Sequence, residues 1–105
     1  MANDQQADMQ RLQILEQSLH THSAQRNAYQ SQLLEIENAL GELESAKESY
    51  RIIGNVMVKS DPEKLKAELV EKKSSMHARL ASVEKQETRL REEMDALQKS
   101  ILGAK

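Results

Sequence analysis

The chain has 105 residues, a mass of 11.9 kDa and a formal net charge of −2 at pH 7. With no Cys, Phe or Trp and only two Tyr, it excludes disulfides, thiolate catalysis, cysteine-based metal sites and an aromatic globular core. Hydrophobic residues at 38%, charged residues at 30%, three Gly and one Pro make this the composition of long helices, too polar for a compact globule and too rich in helix formers for a disordered chain.

The first element in chain order is a helix expected over about residues 5–48. Leu12, Leu15, Leu19, His22, Arg26, Tyr29, Leu33, Ile36, Leu40 and Leu43 step by alternating threes and fours, the a/d seam of a heptad repeat. Next comes Tyr50-Arg51-Ile52-Ile53-Gly54-Asn55-Val56-Met57-Val58-Lys59, dense in β-branched residues with Gly54-Asn55 as a two-residue turn signal. It reads as a short β-hairpin over about 50–59. A second helix is expected over about 61–102. Ser60 or Asp61 can cap it, Pro62 suits its first turn, and Ser60 with Glu63 has capping-box spacing. Its seam runs through Leu65, Leu69, Lys73, Met76, Leu80, Val83, Glu87, Leu90, Met94, Leu97 and Ile101. Gly103 is a plausible stop.

The two seams fit one antiparallel register. In it Leu12 meets Leu97, Leu15 meets Met94, Leu19 meets Leu90 and Leu33 meets Met76. The polar interruption His22/Arg26 falls opposite the polar interruption Glu87. This coincidence points to an intramolecular antiparallel coiled coil, an all-α-dominated fold. Arg26 or His22 pairing with Glu87 would form a polar layer that fixes register; the alternative is that these long side chains snorkel out of the seam. Glu35, Glu37, Glu42 and Glu44 would face the region of Lys64, Lys66, Lys72 and Lys73.

No catalytic or metal-binding constellation stands out. His20 and His22 diverge on a helix and His77 lies far from both. The carboxylates and serines sit on solvated faces, and no Gly-rich phosphate loop exists. The expectation is a protein that is not an enzyme and uses no cofactor. Fifteen basic against 17 acidic side chains give no general attraction to nucleic acid or acidic membranes. No apolar run approaches the roughly 18 residues of a membrane span, and the start of the chain lacks the pattern of a signal peptide. A cytoplasmic location is expected.

Two features ask for partners. The hairpin places Ile52, Ile53, Val56, Met57 and Val58 within seven residues. A coil that ends in such a hairpin cannot bury it alone, and its edges are templates for further strands. The competing reading has the hairpin folding back on the coil. At the other end Met9, Leu12, Leu15, Met94, Leu97, Ile101 and Leu102 form an apolar, methionine-containing helix tip suited to adaptable binding. Read blandly, they are the last seam layers.

Helix, single hairpin and helix, with the run Tyr50–Lys59 between, resembles the β-class subunit of the prefoldin family. The family pattern (aromatic, basic, any, aliphatic, Gly, any, aliphatic, aliphatic, Val, Lys) is matched throughout. The following Leu65-Lys66-Ala67-Glu68-Leu69-Val70-Glu71-Lys72 also looks like the family, and the resemblance spans about residues 8–102. It implies a single prefoldin-like domain over 1–105. It also implies an ATP-independent chaperone of archaeal type, built as a hexamer of two alpha-class and four beta-class subunits. Hairpin residues Tyr50, Ile52, Ile53, Gly54, Val56, Met57 and Val58 would then assemble into an intersubunit β-barrel. The tip would hold unfolded client proteins and pass them to a group II chaperonin. Two other readings stay open: a structural coiled-coil adaptor with no client-holding role, and a basic RNA-binding arm. Against the latter, helix 2 interleaves its lysines with glutamates.

Overall fold

The structure, a computed structural model, describes residues 2–103, with side chains from residue 5 onward. The outermost ends of the expected 1–105 domain lie outside the described residues. The order of elements is α1 (Ala2–Leu43), β1 (Ser49–Ile53), β2 (Val56–Ser60) and α2 (Pro62–Gly103). Each helix has 42 residues, or about 63 Å of rise at 1.5 Å per residue.

α1 ends at Leu43, short of the expected residue 48. The Ala46 N–H donates to the Leu43 carbonyl at 3.3 Å and closes a turn. Glu44, Ser45, Ala46, Lys47 and Glu48 are all acceptable helix residues, but Ser49 must be extended to pair with Ser60, and this non-local pairing overrides local propensity. The hairpin is correspondingly one residue longer at each end than expected. Ser49 is buried, and its hydroxyl donates to the Ser60 carbonyl.

β1 and β2 form a two-stranded antiparallel sheet in the register Ser49↔Ser60, Tyr50↔Lys59, Arg51↔Val58, Ile52↔Met57 and Ile53↔Val56. That leaves Gly54-Asn55 as a two-residue loop. Gly54 has φ +61°, and no non-glycine among the described residues has positive φ. Positive φ at the first central residue alone is the signature of a type II′ turn, which matches strand twist and which glycine adopts without a Cβ clash.

Asp61 caps α2: its Oδ1 accepts from the Glu63 N–H at 3.2 Å, and its carbonyl accepts from the Leu65 N–H at 2.9 Å. Ser60 is instead the last residue of β2, so the Ser60–Glu63 capping box does not form. Pro62 opens the helix, where its missing N–H leaves no donor unpaired.

The chain divides into two compact units, one of Met1–Ala28 with Leu80–Lys105 and one of Tyr29–Arg79. Within Tyr29–Arg79, the helical segments run antiparallel on either side of the hairpin. Leu33, Ile36, Leu43 and Met76 are buried, and Lys73 Nζ lies 3.8 Å from Glu37 Oε1. Lys66, also expected to face α1, turns to Glu63 on its own helix at 3.3 Å. Within the other unit, Leu15, Val83 and Glu87 are buried, and Arg11 lines a groove with Leu97 and Ser100, again antiparallel. Every seam position of both helices is buried or half-buried, whereas the off-seam Ile14, Leu34 and Val70 are exposed. Burial of the large apolar side chains follows the heptad stripe.

Two substitutions test these local devices by urea denaturation. Gly54→Val forces a β-branched residue into positive φ and is expected to destabilise the hairpin by about 1–2 kcal/mol, with Gly54→Asn milder. Asp61→Ala removes the α2 cap and is expected to cost about 1 kcal/mol.

Candidate functional site

The hairpin lies in the Tyr29–Arg79 unit. Cross-strand partners share a face, so Tyr50, Lys59, Ile52 and Met57 occupy one face and Arg51, Val58, Ile53 and Val56 the other. Both faces are therefore apolar. Tyr50, Ile52, Ile53, Val56, Met57 and Val58 are all exposed, from 40% at Val58 to 71% at Ile52. The hairpin does not fold back onto the coil to bury them. Ion pairs tether its base: Arg51 lies 3.1 Å from Glu68 Oε2 on α2, and Lys59 lies 3.9 Å from Glu48. The Tyr50 hydroxyl also donates to Glu48 at 3.1 Å. Beside the base, Leu43, Ala46, Tyr50, Met57, Leu65 and Leu69 line a concave apolar patch. A lone two-stranded ribbon is marginal in water, and one apolar on both faces needs cover on both.

The terminal seam residues lie in the other unit. Met9 and Leu102 are exposed, at 55% and 64%, and share a shallow groove with Leu12, Gln98 and Ile101. Leu12, Met94, Leu97 and Ile101 are half-buried, and Leu15 is buried. The seven tip residues thus separate by position: those in the seam close the coil, while Met9 and Leu102 present most of their surface to solvent.

The polar layer is in the same unit. Glu87 is 1% exposed and is the one fully buried large side chain among the described residues. Its Oε2 accepts from the Ser23 hydroxyl at 2.9 Å and lies 3.4 Å from both Arg26 and Arg91. Glu87 does not snorkel. His22 points elsewhere: its Nδ1 lies 2.7 Å from the Ser18 carbonyl one turn earlier, a donation to its own helix. Sequence reasoning missed Ser23 and Arg91. Arg91 carried a readable signal, its i,i+4 spacing from Glu87. Ser23 lies beside the seam and carried none.

None of these sites has the chemistry of a reaction centre. Among the described residues, no three His, Cys, Asp or Glu side chains gather in a way that could hold a metal ion. No helix there is long and apolar enough to cross a membrane.

The polar layer makes a graded prediction for urea denaturation. Glu87→Ala strands Arg26 and is expected to cost about 2–3 kcal/mol. Ser23→Ala is expected to cost about 1 kcal/mol, and Arg91→Ala, on the solvent side, less than about 0.5 kcal/mol.

Comparison with known proteins agrees with this architecture. A family model described as prefoldin subunit matches residues 5–103. A prefoldin subunit beta of Sulfolobus acidocaldarius is 31% identical over 99 residues, covering 91% of this chain and 79% of the relative. One from Thermococcus kodakarensis is 33% identical over 102 residues, covering 94% and 87%. The crystal structure of the prefoldin beta subunit from Thermococcus strain KS-1 superposes with a TM-score of 0.88 at 33% identity, covering 96% of this chain and 91% of that one. The chain belongs to the prefoldin family, a family of chaperone subunits and not of enzymes, and its matched relatives there are beta subunits.

Proposed function

We propose that the chain acts as an ATP-independent holdase subunit within a hetero-hexamer of two alpha-class and four beta-class prefoldin subunits. The observation that carries this reading is the hairpin, apolar on both faces and uncovered in the single chain. Burying Ile52 and Met57 on one side and Ile53, Val56 and Val58 on the other takes neighbouring hairpins in an intersubunit barrel, with Tyr50 beside the apolar patch at the base. Backbone pairing at the strand edges supplies the geometry, and apolar burial supplies the driving force.

Client proteins in non-native states would be held at the terminal seam. Met9 and Leu102 offer the first contact, and Leu12, Leu15, Met94, Leu97 and Ile101 extend the apolar surface behind them. Single contacts of this size are weak and exchange quickly. Several tips acting on one client hold it by multivalency, and their rapid exchange permits transfer to a group II chaperonin in the cytoplasm. No step of this cycle involves a cofactor, nucleic acid or membrane.

Light scattering on the chain alone and mixed with an alpha-class prefoldin subunit tests the assembly. A particle of about six chains formed on mixing is expected, and a dimer unchanged by the partner would favour a structural adaptor. Ile53→Asp or Val58→Asp is expected to abolish the large particle, because an unpaired charge would be buried at the subunit contact. Met9→Ser/Leu102→Ser and Leu97→Ser/Ile101→Ser are each expected to keep the particle while weakening suppression of aggregation of a denatured client. Undiminished suppression by both double variants would remove the tip from the mechanism.

A further inference from the structure

Most of the seam is made of interchangeable parts. Leu12, Leu15 and Leu19 on α1 and Leu90, Met94 and Leu97 on α2 are flexible apolar knobs that would pack against any leucine-rich stripe, including that of a second copy. One layer differs. The deepest side chain of the described residues is a carboxylate, and its three polar partners come from both helices: the Ser23 hydroxyl and the Arg26 guanidinium from α1, Arg91 from α2.

We propose that the Ser23–Arg26–Glu87 layer determines which helix pairs with which: it admits α1 against α2 in this register and rejects α1 against α1 or α2 against α2 of another copy. In register-matched parallel pairing of like helices, Arg26 faces Arg26 and Glu87 faces Glu87, so a buried like-charge pair replaces an ion pair. A slip of one heptad in the native pairing sets Glu87 against Glu16 and Leu19, or against Gln30 and Leu33, with neither Ser23 nor Arg26 in reach. Pairing α1 with α1 sets guanidinium groups together without a carboxylate, and pairing α2 with α2 or slipping the register leaves Glu87 with only the more exposed Arg91 of its own helix as a cation, whereas the leucine layers are nearly indifferent to partner. Specificity of this kind rests on what the layer makes unfavourable elsewhere more than on what it adds to the native state. A subunit that assembles with several copies of itself holds many leucine seams at high local concentration. There, such discrimination keeps each chain folded on itself.

The absence of native cysteine makes the test direct. Leu19→Cys, a half-buried seam position, reports like-helix pairing as an interchain disulfide, and His20→Cys, exposed beside it, reports random collision. With the native layer, the Leu19→Cys yield is expected to be no greater than that of His20→Cys. In an Arg26→Leu/Glu87→Leu background, which turns the layer into another leucine layer, it is expected to rise about fivefold or more over that reference. Glu87→Arg alone, which sets arginine against Arg26 and Arg91, is expected to raise it too, and Arg26→Glu/Glu87→Arg is expected to bring it back down. Circular dichroism establishes that each variant is helical. An unchanged yield in the all-leucine layer, or a charge swap no better than the single reversal, would overturn the assignment.

Discussion

The rest of this structure depends on one constraint: a pair of helices shares a single stripe of surface, and only that stripe can be buried. Seam positions are covered, and every other large apolar side chain among the described residues stays in contact with water. Ile14, Leu34 and Val70 are tolerable as isolated exposed residues, since scattered apolar side chains are normal on a protein surface. Ile52, Ile53, Val56, Met57 and Val58 are not isolated. They form a continuous two-faced patch that no other described residue of the chain covers.

The same narrowness explains the polar layer. A globular core surrounds a buried carboxylate from many directions, but a two-helix seam offers only a few neighbouring positions. Ser23 and Arg26 from one helix and Arg91 from the other converge on a single oxygen, Glu87 Oε2. Arg26 and Arg91 keep part of their surface in water while their guanidinium groups reach inward, so the desolvation falls mainly on the glutamate. A buried ion pair of this sort adds little net stability over leucine.

The two exposed apolar surfaces differ in how they meet water. The hairpin is held from its base by Arg51–Glu68 and by the Ser49 hydroxyl, which orients a strongly apolar ribbon whose strand edges carry the backbone groups for pairing. The terminal seam spreads a weaker apolar surface over side chains that are mostly half-buried, with Met9 and Leu102 outermost. A pre-formed, two-faced ribbon suits permanent association. Flexible, partly covered side chains suit brief and unselective contact.

Much of this was legible in the sequence because it depends on local chemistry or simple period. The three-four spacing of leucines specifies which face of each helix is buried, and Gly54-Asn55 between β-branched runs specifies a two-residue hairpin turn. The opposition of Arg26 and Glu87 followed from aligning the two seams. Tertiary structure alone decided the features where local preference is neutral or misleading. Residues 44–48 favour a helix, yet the pairing of Ser49 with Ser60 ends α1 at Leu43. Ser60 and Asp61 are both good caps, and the role went to Asp61 because the last strand pairing had already engaged Ser60. His22 and Arg26 are both cations on the seam, and only side-chain direction separates the one that turns back to Ser18 from the one that reaches Glu87. Periodicity decides which residues share a stripe; which atoms within the stripe meet depends on distances and orientations that exist only once the chain has folded.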